Sequence, residues 1–273
     1  MIDLHLHSTA SDGSLTPTEL VNLAAARGVH LLALTDHDCV DGLAEARAAA
    51  QAAGIHFING VELSVTWEHK TLHVVGLNID PANAELTAGL ARLQAARSTR
   101  ALEIDRRLAA RGVHGAYAGA RQLAGSDNLT RAHFAQWLVE QGHAKTSRDA
   151  FRRFLARGKP GFVPMIWASL EESIGWIHAA GGRAVLAHPL RYDMTRSWLM
   201  KALAAFKQAG GEGIEVICGH GNRDECATAA HYAMRFGFAA SVGSDFHNPS
   251  APWNQPGIKD SLPENLTPVW RFF

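Results

Sequence analysis

Residues 2–7 read Ile-Asp-Leu-His-Leu-His, and residues 31–38 read Leu-Leu-Ala-Leu-Thr-Asp-His-Asp. Each segment has the length and apolar content of a strand, and each ends in histidine or acidic side chains. Between them, Thr16-Pro17-Thr18-Glu19 predicts the start of a helix, because it combines a capping box with proline at the first helical position. Gly28 predicts the end of that helix. A strand, a helix and a second strand in this order predict a parallel βαβ unit.

The alternation of strands and helices continues along much of the chain. Further strands are predicted at 55–63, 72–77, 183–187, 213–217 and 239–243. About seven strands in an α/β pattern predict a closed or nearly closed barrel. A doubly wound open sheet is the structural alternative, although no GxGxxG turn follows the first strand to support a dinucleotide-binding fold.

Residues 81–166 differ from the rest because they contain helical patterns without a strong strand. Helices are predicted at 83–111, 130–142 and 147–157. We therefore expect a small inserted helical domain at 81–166, which covers the substrate site of a barrel built from residues 1–80 and 167–273.

Composition excludes several classes of protein. The 273 residues carry 26 basic and 26 acidic side chains, so no broad surface for duplex nucleic acid is expected. No apolar run approaches the roughly 20 residues that span a bilayer, and the first residues do not form a signal peptide. These features predict a cytoplasmic protein with no membrane partner. The three cysteines form no CxxC pair and are expected to be free thiols.

Histidine and acidic residues cluster where the predicted strands end. In a parallel barrel these positions meet at one mouth, where barrel active sites are built. His73 comes early in its strand, but a hairpin between 60–66 and 71–77 would pair it close to Ser64 and bring it to the same mouth. The candidate ligands are His5, His7, Asp12, His37, Glu62, His73, His188, Asp245 and His247.

These nine side chains predict a metal centre. A histidine near a strand end is, taken alone, more often an ordinary polar residue than a ligand. Here, however, acidic or imidazole groups stand at the ends of nearly every predicted strand. They are more numerous than the three or four protein ligands that one ion needs. Nine imidazole and carboxylate ligands without thiolate indicate two or three ions, Mn²⁺ first, with Zn²⁺, Fe²⁺ or Mg²⁺ as alternatives.

The sequence also resembles a known family, the PHP (polymerase and histidinol phosphatase) phosphoesterases. The resemblance lies in residues 3–8 with Asp12, and in residues 35–38, 187–189 and 243–247. It implies a distorted (β/α)7 barrel with a trinuclear site. By this resemblance one ion is held by His5, His7, Glu62 and Asp245, a second by Glu62, His73 and His188, and a third by Asp12, His37 and His247.

The insert narrows the resemblance. Residues 128–135 and 158–164 are similar to the subgroup of 3′,5′-nucleoside bisphosphate phosphatases, which are also described as 5′→3′ exoribonucleases on short RNA. The resemblance therefore implies that the 3′-phosphate of a 3′,5′-bisphosphorylated nucleotide is hydrolysed. The expected partner is a nucleotide or a short oligonucleotide.

Individual roles follow from residue type and position. Asp245 is a candidate acceptor of the proton of the attacking water, His220 is a candidate general acid, and Asp36 is a candidate to orient His37 or to handle protons. The candidates for substrate contact, chiefly for its second phosphate, are Arg131, His133, Lys159, Arg191 and Ser64.

Two other functions compete with this one. The same scaffold could carry a different hydrolase, such as a histidinol-phosphate phosphatase, a phosphatase of another small monoester, or a C–N hydrolase. It could also be a non-catalytic module that serves a polymerase. The complete ligand set argues against the module, and the cationic residues of the insert favour a larger anionic substrate.

Overall fold

The computed structural model describes residues 1–219, 221–250 and 254–273. Seven strands form one sheet whose spatial order follows the chain. The strands are β1 (Ile2–Asp3), β2 (Leu31–Leu34), β3 (His56–Trp67), β4 (Lys70–Leu77), β5 (Arg183–Leu186), β6 (Gly213–Cys218) and β7 (Ala239–Gly243). Neighbouring strands are parallel except at β4, which runs antiparallel to both β3 and β5.

The sheet closes on itself between its first and last strands. The Leu4 N–H donates to the Val242 carbonyl over 3.1 Å, and Leu6 forms a parallel bridge with Phe246. The predicted α/β barrel of seven strands is therefore confirmed, and the open doubly wound sheet is wrong. The antiparallel β4 accounts for the distortion of the barrel.

The β3–β4 hairpin has the predicted register. Ser64 lies opposite His73, and Glu62 lies opposite Val75. Because side chains alternate along a strand, Glu62 and Ser64 point to the same side of the sheet. This register brings His73 close to Glu62 at the mouth of the barrel.

Helices cover the outside of the barrel and form the segment between β4 and β5. They are α1 (Pro17–Ala26), α2 (Leu43–Ala53), α3 (Ala84–Ala109), α4 (Ala116–Ala124), α5 (Arg131–Glu140), α6 (Ser147–Ala150), α7 (Leu170–Ala179), α8 (Arg196–Gln208) and α9 (Arg223–Phe236). The predicted capping boxes at Thr16 and Ser169 are present at the starts of α1 and α7. No helix in the described part of the chain is both long and apolar enough to cross a bilayer.

Two features of the helical segment differ from the sequence prediction. Helix α4 was not predicted, because Gly119 in its middle lowers the helical propensity. A Cβ on Gly119 would lie 1.9 Å from Nε1 of Trp137, so the glycine lets α4 pack closely against α5. The helix predicted at 147–157 ends sooner, since α6 passes at once into a π-helical turn at Phe151–Leu155.

The helical segment has a hydrophobic core of its own, and α3 joins it to the barrel. Leu86 and Leu90, in the first half of α3, pack into the large core between the sheet and its helices. Ile104 and Leu108, in the second half, pack against α4 and α5 in the separate core. A second layer inside the barrel is formed by small and branched residues such as Ala33 and Val185.

Candidate metal centre

The barrel brings the nine predicted ligands to one end. Backbone hydrogen bonds fix the segments that carry them: the His7 N–H donates to the Phe246 carbonyl over 3.0 Å, and the Asp245 N–H donates to the His5 carbonyl over 2.9 Å. His5, His7 and Glu62 are completely buried, whereas the side chains of His73 and His247 are partly exposed. The site is therefore buried on the side of the barrel interior and exposed to solvent on the other side.

Three groups of these side chains have ligand atoms within 4.8 Å of one another. They are His7, Asp12, His37 and His247; then His5, His7 and Asp245; then His37, Glu62 and His73. His188 joins them, because its Nε2 lies 3.2 Å from Oε1 of Glu62. Asp12, His37 and His247, which the resemblance assigns to one ion, lie together in the first group. In addition, His7 and His37 each belong to two groups and lie between neighbouring positions.

Unpartnered buried atoms show that this pocket suits metal ions. Four ligand atoms are buried and have no hydrogen-bond partner among the described residues, namely His7 Nδ1, Asp12 Oδ1, His37 Nδ1 and Glu62 Oε2. Although His37 Nδ1 and Glu62 Oε2 lie 2.8 Å apart, they lack the angles of a hydrogen bond. Buried polar atoms are costly when unpaired, and divalent cations bound in these groups would satisfy them.

The charges in the pocket point the same way. Burial raises the pKa of Glu62, but His37, His73 and His5 outweigh burial and hold this pKa well below its usual range. Burial, together with the neighbouring His247 and His37, lowers the pKa of His7 to about 3. The centre therefore combines an ionised carboxylate with a neutral imidazole, and these are the protonation states that bind metals.

The buried carboxylate of Glu215 orients two of the candidate ligands, His5 and His188. Glu215 on β6 is buried, and its Oε1 lies 2.6 Å from Nδ1 of His5. Its Oε2 accepts from the backbone N–H of His188 over 2.6 Å. A carboxylate on the far nitrogen of a liganding histidine fixes the ring and raises its basicity. Tyr192 supports β4 similarly, since its hydroxyl accepts from the His73 N–H over 2.9 Å.

The loop after β1 is held by Asp36. Its carboxylate accepts from the Ser8 N–H over 2.8 Å, from the Ser8 hydroxyl over 2.7 Å and from the Ser11 hydroxyl over 2.6 Å. Burial raises the pKa of Asp36 to about 6, against these hydrogen bonds. This carboxylate contacts the loop that leads to Asp12 and makes no hydrogen bond to His37 among the described contacts.

An arginine of the insert is fixed to the barrel beside the centre. Arg97 on α3 is buried, and its Nε donates to Oδ2 of Asp38 over 2.7 Å. Its Nη2 donates to the Ser64 hydroxyl over 2.9 Å. Asn128, before α5, adds a second link, because its Nδ2 donates to the His37 carbonyl over 2.8 Å. The insert therefore touches the residues that flank the ligands.

Three side chains of the centre sit on a backbone that few residues adopt. Asp38, His188 and Asp245 have φ values of 50°, 31° and 54°, in the left-handed region. Such backbones cost free energy in residues other than glycine and are concentrated at functional sites. Each of the three follows the end of a strand, where the turn aims its side chain at the mouth.

A cavity of about 680 Å³ opens beside the ligands, between the barrel and the insert. Asp12, His37 and His73 contribute to its wall. Apolar side chains, including Phe151, Phe162, Met165 and Trp167, supply much of the remainder. Its cationic lining residues are Lys70, Arg97, Arg100, Arg131 and Arg157. The cavity is thus suited to an anion that also carries an apolar part.

The predicted substrate residues are placed unequally around this cavity. Ser64 and Arg131 line it. His133 is buried and its Nδ1 accepts from the Thr130 N–H over 3.2 Å, while the exposed Lys159 is not among the lining residues. Arg191 lies nearer the ligands, with Nη1 3.8 Å from Oδ2 of Asp245. His220, the candidate general acid, lies outside the described residues.

Several residues of the site were missed by the sequence analysis. A signal existed for Glu215, because an acidic residue in the middle of the apolar strand at 213–217 must have a buried partner. Asn128 lies in residues 128–135, which indicated a resemblance to a subgroup but gave no assignment for Asn128 itself. Arg97 and Arg100 gave no such signal, since arginines in an Ala-rich helix are typical of a solvated face.

Known proteins are similar over nearly the whole chain. The PHP domain family matches residues 3–162, more than half of the chain. A 3′,5′-nucleoside bisphosphate phosphatase from Chromobacterium violaceum is 49% identical over 271 residues, which are 99% of this chain and 95% of the relative. A 5′-3′ exoribonuclease from Haemophilus influenzae is 46% identical over 272 residues, covering 99% and 98% of the two chains.

A solved structure agrees with the fold. An amidohydrolase from Chromobacterium violaceum, with bound sulfate and no metal, is 49% identical and superposes with a TM-score of 0.94 over 99% of this chain and 94% of that chain. The resemblance seen in the four strand-end motifs is confirmed by these matches, and the chain belongs to the PHP domain family.

Proposed function

We propose that this protein is a metal-dependent phosphoesterase that removes the 3′-phosphate of 3′,5′-bisphosphorylated nucleotides. The same chemistry would release nucleotides from the 5′ end of short RNA. The names of two relatives, a bisphosphate phosphatase and an exoribonuclease, support this substrate class. The observation that carries the proposal is the arginine group, Arg100 and Arg131, which lines the cavity beside the candidate ligands and has no acidic partner in the described part of the chain.

Arg100 is central to that group. Its Nε is buried and has no hydrogen-bond partner among the described residues. Burial and the charges of Arg131 and Arg97 lower the pKa of Arg100 below its usual value. A buried guanidinium N–H that lacks a hydrogen-bond partner and has two cationic neighbours is unfavourable unless an anion binds there. A second phosphate of the substrate is such an anion.

The metal ions complete the site. The donor set suits two or three Mn²⁺ ions, held by the nine side chains described above. When bound, these ions supply a nucleophilic water at neutral pH and neutralise charge on the phosphate. The insert forms one side of the cavity through residues such as Arg97 and Arg131, and so limits the access of bulk water to the bound substrate.

Protein groups handle the protons. Oδ1 of Asp245 faces the histidines, 3.4 Å from Nε2 of His7. Oδ2 of Asp245 faces Arg191 and is the atom to which we assign the proton of the attacking water. His220 keeps its assignment as donor to the leaving oxygen.

Phosphate release from adenosine 3′,5′-bisphosphate with added Mn²⁺ tests the activity, with histidinol phosphate as the competing substrate. Wild-type protein should release the 3′-phosphate and leave the 5′-nucleotide. Asp245→Asn should lose about 100-fold or more in kcat, as expected when a positioned proton acceptor is removed. Normal turnover by this variant would reject the role of Asp245, and preference for histidinol phosphate would reject the substrate class.

A second comparison tests the arginine group. Arg100→Met should lower kcat/KM for the bisphosphate by about 10- to 100-fold, because a hydrogen bond to a charged group is lost. The same change should leave turnover of adenosine 3′-monophosphate nearly unaltered. Arg92→Met is the matched control, since Arg92 lies on the same helix and pairs with Glu172. Equal losses with both substrates would contradict a second-phosphate site at Arg100.

A further inference from the structure

Three aromatic rings meet at the tip of the β3–β4 hairpin. The ring of Trp198, in the first turn of α8, lies 5.6 Å from that of Trp67 and 5.5 Å from that of His69, both edge to face. Lys201 Nζ lies 5.4 Å from the Trp198 ring. Trp67 packs partly against the barrel core, whereas His69 and Lys201 are exposed. We call His69, Trp198 and Lys201 the hairpin platform.

The platform is continuous with the wall of the substrate cavity. His69, Lys70 and Thr71 all line that cavity. Lys70 Nζ donates to the Asp193 carbonyl over 2.8 Å, and so ties the hairpin to the loop before α8. The arginine group lies on the insert, whereas the platform lies on the barrel. The wall of this one cavity therefore includes Arg100 on the insert, the candidate ligands His37 and His73, and His69 of the platform.

This surface has the chemistry of a single-stranded nucleic acid site. Bases stack on aromatic side chains in a sequence-tolerant way, and cations beside the rings accommodate the backbone phosphates. His69, Trp198 and Lys201 supply both elements. Two exposed acidic residues lie close to the platform in sequence, Glu68 next to His69 and Asp193 shortly before Trp198. The platform is therefore not a broad cationic surface, and it suits one or two nucleotides.

We propose that the hairpin platform binds the second nucleotide of a short RNA whose first nucleotide occupies the cavity. This inference rests on the proposed function and extends it, because it assigns a site to a nucleotide beyond the one that is released. The protein would then be built for oligonucleotides, with the mononucleotide bisphosphate as its smallest substrate. The first nucleotide is bound through its 5′-phosphate at Arg100, and the next base stacks on His69 and Trp198.

The test compares two substrates in the same variants. His69→Ala and Trp198→Ala should lower kcat/KM for a 5′-phosphorylated trinucleotide by about 5- to 100-fold, mainly through KM, as expected when one base loses its stacking partner. Because Trp198 is not among the residues that line the cavity, turnover of adenosine 3′,5′-bisphosphate by Trp198→Ala should stay within about twofold of wild type. His231→Ala is the matched control, because it removes another exposed histidine that contacts an aromatic ring, that of Tyr232.

Each result decides the proposal. Equal losses with both substrates would show that the rings bind the first nucleotide, and unchanged trinucleotide turnover would show that they bind none. If the wild-type protein cleaves neither substrate, the proposed activity fails by itself. Binding of a fluorescently labelled 5′-phosphorylated trinucleotide to wild type and to His69→Ala then tests the binding role of the platform independently of turnover. Weaker binding by the variant supports this role, and equal binding overturns it.

Discussion

Oε1 of Glu215 lies 2.6 Å from Nδ1 of His5, although 210 residues separate them in the chain. Both side chains are buried, and Glu215 also accepts from the His188 N–H. One carboxylate on β6 therefore orients two candidate ligands, one in the segment after β1 and one in the segment after β5. This makes Glu215 a positioning residue, whose loss is expected to act on metal binding first.

Glu215→Gln should weaken Mn²⁺ binding by about 10- to 100-fold, because the amide is a poorer partner for His5 Nδ1. The measurement is a calorimetric titration of metal-free protein with Mn²⁺. Glu212→Gln is the control, since Glu212 lies just before β6 and pairs with Arg183 instead. Equal affinities for wild type and Glu215→Gln would remove Glu215 from the metal centre.

Arg97→Met should lower the free energy of unfolding by about 3–5 kcal/mol, because the buried carboxylate of Asp38 loses its cationic partner. Asp38→Asn in the same chain should restore much of that loss, as asparagine carries no charge and tolerates the positive φ at this position. Urea unfolding of the single and double variants measures both changes. A double variant less stable than Arg97→Met alone would show that the Asp38 charge is stabilised by other groups.

Removal of metal should lower the unfolding temperature. Each ion bound at 100 times its Kd adds about 2.7 kcal/mol to the native state, which corresponds to about 5 °C or more for a chain of this size. Thermal unfolding with EDTA, and again after Mn²⁺ is restored, measures this difference. His231→Ala should show the same shift as wild type. Identical midpoints with and without chelator would mean that the buried atoms of His7 and Glu62 hold no ion.

Gly243→Ala should distort the candidate metal centre, because Gly243 packs closely against His5 and Glu215. The added Cβ would lie 2.3 Å from Cβ of His5 and 3.0 Å from Oε1 of Glu215, so the two side chains must move apart. A loss of about 1–3 kcal/mol in stability and of Mn²⁺ content is expected from such overpacking. Unfolding and metal analysis of the purified variant measure the two losses.

Gly175→Ala supplies the contrast to that variant. Gly175 lies in α7, and a Cβ there would meet no atom within 4 Å. Alanine should therefore stabilise the protein by about 0.4–1 kcal/mol through the unfolded chain and leave metal content unchanged. A Gly243→Ala variant as stable and as metal-rich as Gly175→Ala would contradict the close approach between β7 and His5.

Residue type and position in the chain were sufficient to predict which candidate ligands meet at the mouth of the barrel. His5, His37 and His188 follow apolar strands, and parallel strands place their ends together. The His73–Ser64 register also followed from the chain, because a short hairpin leaves little choice of pairing. The capping boxes were equally readable, since they depend only on residues three positions apart.

What the sequence did not reveal depends on side-chain direction over long distances. The way the insert docks on the barrel decides which face of α3 points to the cavity, and Arg97 and Arg100 lie on that face. An Ala-rich helix has no hydrophobic periodicity that would reveal this face in the sequence. Lys159 was chosen by charge and by its motif, whereas the cavity lies beside Arg100 and Arg157. The motif predicts a cationic side chain, but the fold decides which cationic residues line the cavity.

The seam that closes the barrel joins the earliest and the last ligand-bearing segments, through the pairing of His7 with Phe246 and of Asp245 with His5. During synthesis on the ribosome, His5 and His7 emerge more than 200 residues before Asp245 and His247. The nascent protein consequently lacks a complete set of candidate ligands until residues 245–247 have been synthesised. Complete metal loading must therefore follow the synthesis of this segment, and phosphoesterase activity cannot precede the closure of the seam.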